Sequence, residues 1–159
     1  MSATDMTLAA DNRALIERWY KALEHNDFDA IFDMHHDDVV YNMLGNTPVS
    51  GRIYGKEACC NGMIAEKLLQ KLDPDQIQFA KQWTIVAAEG DRVVGLMKGG
   101  GATNDGKQYD QTYCEIFTIR DGKIVEMHNF FDTVLVEECL FDNSLRTPEP
   151  PLADPFQLS

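Results

Sequence analysis

Basic residues are scarce in this chain. Fourteen lysines and arginines stand against 26 aspartates and glutamates, a formal net charge of −12 over 159 residues. That balance argues against a nucleic-acid or acidic-membrane partner, because both need a basic footprint. Long apolar runs are missing as well, and none approaches the roughly 18 consecutive apolar residues of a membrane span. The first residues, MSATDMTLAADNR, have neither the basic start nor the apolar stretch of a secretory leader, so a cytoplasmic location is expected. Cys59, Cys60, Cys114 and Cys139 lack metal-ligand spacing, and an adjacent pair makes a poor disulfide framework, so reduced thiols are expected. Gly99-Gly100-Gly101 does not fit the G-x-G-x-x-G frame, and no helix pattern follows it. Neither a Gly-x-Ser-x-Gly elbow nor a His-Glu-x-x-His helix occurs. No metal, nucleotide or other cofactor is expected. What remains is 44% apolar and long enough for one domain with its own core.

The first half reads as helical. Asp11 can cap a helix whose Ile16, Trp19, Tyr20 and Leu23 follow i, i+3, i+4, i+7 spacing. After Asn26-Asp27, a short second helix would carry Phe28, Ile31, Phe32 and His35 on one face, with a strand starting at Val39-Val40-Tyr41. A third helix is expected over 56–72, closed by Asp73-Pro74. The second half alternates as strands at 77–88, 92–98, 108–119 and 123–131. Glu89-Gly90-Asp91 and Asp121-Gly122 are tight turns, and the glycine tract through Asp105-Gly106 is a looser one. Asp132 reads as the cap of a last short helix, TVLVEECLF. The division is a flexible start at 1–10, a domain at 11–142, and an extended tail at 143–159 holding four of the six prolines. Helices followed by an antiparallel meander make an α+β layout.

Three strings in this order resemble the SnoaL-like branch of the nuclear-transport-factor-2-like (NTF2-like) superfamily: WYKALEHNDFDAIFDMHHDDVVYN, EGDRVV and IFTIRDGKIVEMHNFFD. The resemblance covers about residues 10–142 and implies a cone, with three N-terminal helices packed in a curved antiparallel sheet. Its members include ketosteroid isomerases, polyketide cyclases, epoxide hydrolases, lyases and non-catalytic binding or transport proteins, so fold alone does not decide activity. Matched to ketosteroid isomerases, Trp19 replaces the oxyanion-hole tyrosine and Met43 the aspartate base, while Glu115 keeps the place of a buried carboxylic acid. Matched to limonene-epoxide hydrolases, the pocket tyrosine is Tyr41, but Leu96, Lys98 and Asn129 replace the arginine and two aspartates. Neither mechanism transfers intact.

The resemblance directs Tyr41, Leu96, Lys98, Glu115, Phe117, Met127, Asn129 and Phe131 inward, beside Trp19 and Met43. Such a lining, apolar with a few polar groups, suits a small hydrophobic molecule, aromatic or polycyclic. Lys98 and Glu115 would face each other as base and acid; a one-residue slip of register would instead leave them as solvated charges outside. His35, on an apolar face, is either hydrogen-bonded packing or a second base. Tyr41 and Asn129 would steady charge developing on a substrate oxygen. The expected activity is acid/base chemistry without a cofactor, of lyase or isomerase type, including retro-aldol carbon–carbon cleavage. The rival is a non-catalytic binding or adaptor domain. A homodimer through the outer sheet face is expected, because both alternating sets along strand 111–119 contain apolar residues.

Overall fold

The computed structural model describes residues 3–143. Helix α1 (Ala3–Glu24) buries Asn12, Leu15, Ile16, Trp19, Tyr20 and Leu23, one continuous 3.6-period face. It starts eight residues before Asp11, so Asp11 lies inside the helix and caps nothing. Asn26 ends it at φ +53°, a left-handed conformation that asparagine tolerates, and its side chain donates to Ile77 O at 2.8 Å. Asp27 caps α2 (Phe28–Asp33) by accepting from Ala30 N at 3.1 Å.

Strand β1 (His35–Met43) follows at once, so His35 belongs to a strand and not to the helix. Pairing of His35 with Ile124 takes up the backbone there and ends helical geometry. After β2 (Gly51–Tyr54) comes a π-helix (Glu57–Leu68) and a 3₁₀ turn (Leu69–Lys71). Two α-helices therefore precede the sheet, and the expected third is wound differently and placed after β2. Its capping residues sit in the same αR basin as an α-helix, so residue preferences do not distinguish the windings.

Strands β3 (Gln78–Glu89), β4 (Arg92–Gly100), β5 (Gln111–Arg120) and β6 (Lys123–Phe131) form the expected antiparallel meander. The sheet order is β2-β1-β6-β5-β4-β3, with β1 parallel to β6. Asp121 and Gly122 both have positive φ, as a two-residue hairpin turn requires. The glycine tract is no loop at its start: a Cβ on Gly99 would lie 2.0 Å from Phe79 O, and one on Gly101 2.3 Å from Gln76 O. These glycines let two backbones cross closely.

Helix α3 (Thr133–Leu140) is capped by Asp132, whose carboxylate accepts from Val134 N and Leu135 N. Buried Gln111 holds the start of α3. Its Nε2 donates to Asp132 O at 2.9 Å, and its Oε1 accepts from Asp132 N at 2.8 Å. The core fills the space between the helices and the inner sheet face, where Val93, Met97, Phe117, Ile119, Ile124 and Met127 are buried. Among the described residues, no helix is long and apolar enough to cross a membrane. The proline-rich tail lies outside the described residues.

Candidate active site

A cavity opens between the inner sheet face and the helices. Helix α1 gives Trp19 and Leu23, α2 gives Phe28, Ile31 and Phe32, and α3 gives Val136. The sheet supplies Tyr41, Met43, Phe79, Met97, Tyr113, Glu115, Met127, Asn129 and Phe131. Seven residues expected to point inward are therefore on the wall: Trp19, Tyr41, Met43, Glu115, Met127, Asn129 and Phe131.

Among the described residues, Glu115 is the only carboxyl group on that wall. It is 1% exposed, and burial pushes its pKa from the ordinary 4.5 up to about 7, partly opposed by a hydrogen bond from Tyr20. That bond runs from Tyr20 O–H to Glu115 Oε2 at 2.6 Å. Burial and the neighbouring carboxyl group raise the Tyr20 pKa well above 10, so the tyrosine stays a donor. Its ring stacks on Trp83 at 5.0 Å between centroids and meets Trp19 edge-on at 5.1 Å. Gly95, the cross-strand partner of Glu115, makes this reach possible, because a Cβ there would lie 2.1 Å from the Tyr20 hydroxyl. Sequence reasoning placed Tyr20 on the apolar face of α1 but found neither its role nor that of Gly95.

Lys98 and Leu96 do not belong to the site. Along β4 the inward residues are Val93, Gly95 and Met97, while Leu96 pairs with Cys114 and Lys98 with Thr112 on the outer face. Lys98 and Glu115 thus lie on opposite faces of the sheet, the one-residue slip in register realised. Phe117 is inward and fully buried, but it packs under Trp19, with centroids 5.2 Å apart, and does not reach the cavity wall.

His35 sits behind the wall. Its Nδ1 is 2.8 Å from Ile31 O, and since a carbonyl only accepts, the proton belongs on Nδ1. Nε2 is then left to accept from Tyr41 O–H at 2.9 Å. Burial lowers the His35 pKa to about 4, so the ring is neutral near pH 7. Tyr41 consequently shows its ring to the cavity while its proton is committed to His35, and it does not act as the expected oxygen-steadying donor. Beside it the Cys60 thiol is pushed up to about 12, chiefly by burial, which leaves it unreactive.

Two wall residues each carry a buried side-chain atom with no hydrogen-bond partner among the described residues: Trp19 Nε1 and Asn129 Oδ1. All four cysteines are free, and among the described residues no three His, Cys, Asp or Glu side chains converge as metal ligands.

The family model described as SnoaL-like domain matches residues 16–127. No curated protein matches the sequence. Several solved structures share its fold. An NTF2-like protein from Burkholderia xenovorans is 16% identical, with 82% of this chain and 96% of that one covered at a TM-score of 0.65. A putative isomerase from Bacillus subtilis is 20% identical over 85% and 95%, with a TM-score of 0.66. An LEH-like epoxide hydrolase from M. tuberculosis is 20% identical over 84% and 92%, with a TM-score of 0.59. At these identities the likeness establishes an NTF2-like fold, mixed α+β around a six-stranded sheet.

Proposed function

We propose that this chain, which belongs to the SnoaL-like domain family, is an acid/base enzyme working without a cofactor on a small hydrophobic, aromatic molecule held in the cavity. One observation carries this reading: Glu115 is a buried carboxyl group on a wall with no other charged side chain among the described residues, and that burial pushes its pKa up to about 7. At neutral pH such a group exists as both acid and base, the balance that proton transfer needs. In the forward step the Glu115 carboxylate takes a proton from the carbon beside a substrate carbonyl. The C–H electron pair becomes the enolate double bond, and negative charge collects on the oxygen. In a β,γ-unsaturated ketone the enolate is a dienolate, and return of the proton at its γ-carbon moves the double bond into conjugation and completes an isomerisation. In the lyase variant the proton comes from a β-hydroxyl, and the adjacent carbon–carbon bond breaks into an enolate and a carbonyl fragment. The fold neighbours named as a putative isomerase and an epoxide hydrolase support a catalytic use of this architecture.

Deuterium uptake beside the carbonyl of 6-hydroxy-1-tetralone in D₂O, followed by NMR, tests this. Wild type should exchange well above buffer, and Glu115→Gln should be slower by roughly 10²- to 10⁴-fold. Uptake no faster than buffer, or unchanged in Glu115→Gln, removes the reading. The binding-domain alternative draws on a specific observation, that neither Lys98 nor His35 joins Glu115 on the wall. It expects tetralone binding without exchange.

The reading includes a homodimer through the outer sheet face, where Phe130 is 42% exposed on the same side as Leu96, Cys114 and Ile116. Light scattering should give twice the chain mass at micromolar concentration, and a monomer would refute it.

A further inference from the structure

Three buried side-chain atoms among the described residues lack a hydrogen-bond partner: Trp19 Nε1, Asn26 Oδ1 and Asn129 Oδ1. Asn26 lies in the turn after α1, off the cavity wall. Trp19 and Asn129 are on the wall, 4% and 7% exposed. Buried polar atoms are nearly always paired, and an unpaired one is destabilising until something meets it. The described residues supply nothing to either atom, and both side chains line the cavity, so a molecule held there is the partner within reach of a small side-chain adjustment.

The two atoms make opposite demands. An indole N–H only donates, so Trp19 needs an acceptor oxygen. The carboxamide oxygen of Asn129 only accepts, so it needs a hydroxyl or an N–H. Charge narrows the choice further. Among the described residues no lysine or arginine is on the wall, so an anion would lose its water and meet no counter-charge there. Both anchors neighbour Glu115: Asn129 is its cross-strand partner, and Trp19 packs on Phe117, two residues along the same face of β5.

We propose that the cavity takes an uncharged aromatic hydroxy ketone, with its carbonyl oxygen on Trp19 Nε1–H and its hydroxyl on Asn129 Oδ1. The proposal rests on the acid/base reading of the same cavity and narrows it. A carbonyl held by a donor is where charge gathers when a neighbouring proton leaves, so Trp19 takes the oxygen-holding role that Tyr41 does not fill.

Calorimetric binding of a matched set tests it: 6-hydroxy-1-tetralone, 1-tetralone, 5,6,7,8-tetrahydro-2-naphthol and the anion 5,6,7,8-tetrahydro-2-naphthoate. On wild type the hydroxy ketone should bind on the order of tenfold tighter than either single-group compound, and the naphthoate roughly a hundredfold weaker than the hydroxy ketone. Trp19→Phe should erase the advantage conferred by the carbonyl and keep that of the hydroxyl. Asn129→Leu should do the reverse. Equal affinities across the wild-type set, a carboxylate that binds as well as the hydroxy ketone, or no binding of the hydroxy ketone at millimolar concentration would each overturn the proposal, however the variants fold. Binding is read without turnover. Discrimination without deuterium exchange therefore supports this proposal while removing the acid/base reading, and exchange without discrimination does the opposite.

Discussion

Two tyrosines of this domain each donate a buried hydrogen bond to a titratable side chain, with opposite consequences. Tyr20 donates to Glu115 at 2.6 Å and Tyr41 to His35 at 2.9 Å. Burial disfavours the charged form in both pairs. The carboxyl group therefore moves up to about 7, and the imidazole down to about 4. Histidine is ordinarily the side chain that titrates near neutrality. Here burial has exchanged the two roles: the glutamate titrates at pH 7 and the histidine stays neutral. Location completes the difference, since Glu115 is on the cavity wall and His35 is behind it.

The largest expected effect separates the pairs by activity. Tetralone exchange should rise with pH through about 7 in wild type, as Glu115 ionises. Glu115→Gln should lose that rise along with roughly 10²- to 10⁴-fold in rate, whereas His35→Gln should keep the wild-type midpoint. A His35→Gln profile as flat as that of Glu115→Gln would undo the comparison.

Stability should separate them next. The folded pKa of Glu115 is raised, so the stability it contributes is full below 4.5 and is lost as pH rises to about 7. The folded pKa of His35 is lowered, so its contribution is full above 6.5 and is lost as pH falls to about 4. Urea denaturation against pH, read as the difference between wild type and variant, cancels the other carboxylates. The Glu115→Gln difference should change by on the order of 3 kcal/mol between pH 4.5 and 7, in favour of the variant at higher pH. For His35→Gln the change should fall between pH 6.5 and 4 and favour the variant at lower pH. Parallel curves for the two variants would refute the opposed shifts.

Gly95→Ala tests the support of the first pair. The added methyl group meets the Tyr20 hydroxyl and should cost about 1–3 kcal/mol in denaturation. It should also move the exchange midpoint above 7, because the bond from Tyr20 holds the Glu115 pKa down. Tyr20→Phe should give the same shift without the added methyl group. A midpoint unmoved in both would show that Tyr20 does not tune the carboxyl group. The smallest effect belongs to Tyr41→Phe: a loss of about 1 kcal/mol, from an unpaired His35 nitrogen, with no change in midpoint.

The α+β layout was legible because α1 and the meander carry clean periods of 3.6 and 2 residues, with glycine at the hairpin turns. The inward placing of Glu115, Asn129, Met127 and Phe131 came from the resemblance and not from periodicity, since the alternation of β5 and β6 is interrupted by a register shift between Thr118 and Ile119. On strand β4 the resemblance set Leu96 and Lys98 inward, whereas the strand turns Gly95 and Met97 inward, so the matched positions are one residue out of register. His35 was misplaced because a six-residue helix running straight into a strand offers no punctuation between them. Tyr20 was visible only as core, since its hydrogen bond spans 95 positions of chain, and nothing local announces such a partner.

Gln111 has a consequence of another kind. A carboxamide carries a carbonyl oxygen and an N–H side by side, the same pairing that a peptide unit offers a neighbouring strand. By meeting both the N–H and the C=O of Asp132, this side chain serves as a grafted piece of main chain, extending the β-ladder by one rung where the backbone turns away. The corner into α3, whose Val136 closes one side of the cavity, is thus held by a surrogate peptide. Glutamate, nearly identical in shape, could accept from Asp132 N but would set oxygen against oxygen at Asp132 O, so this corner depends on a single amide nitrogen.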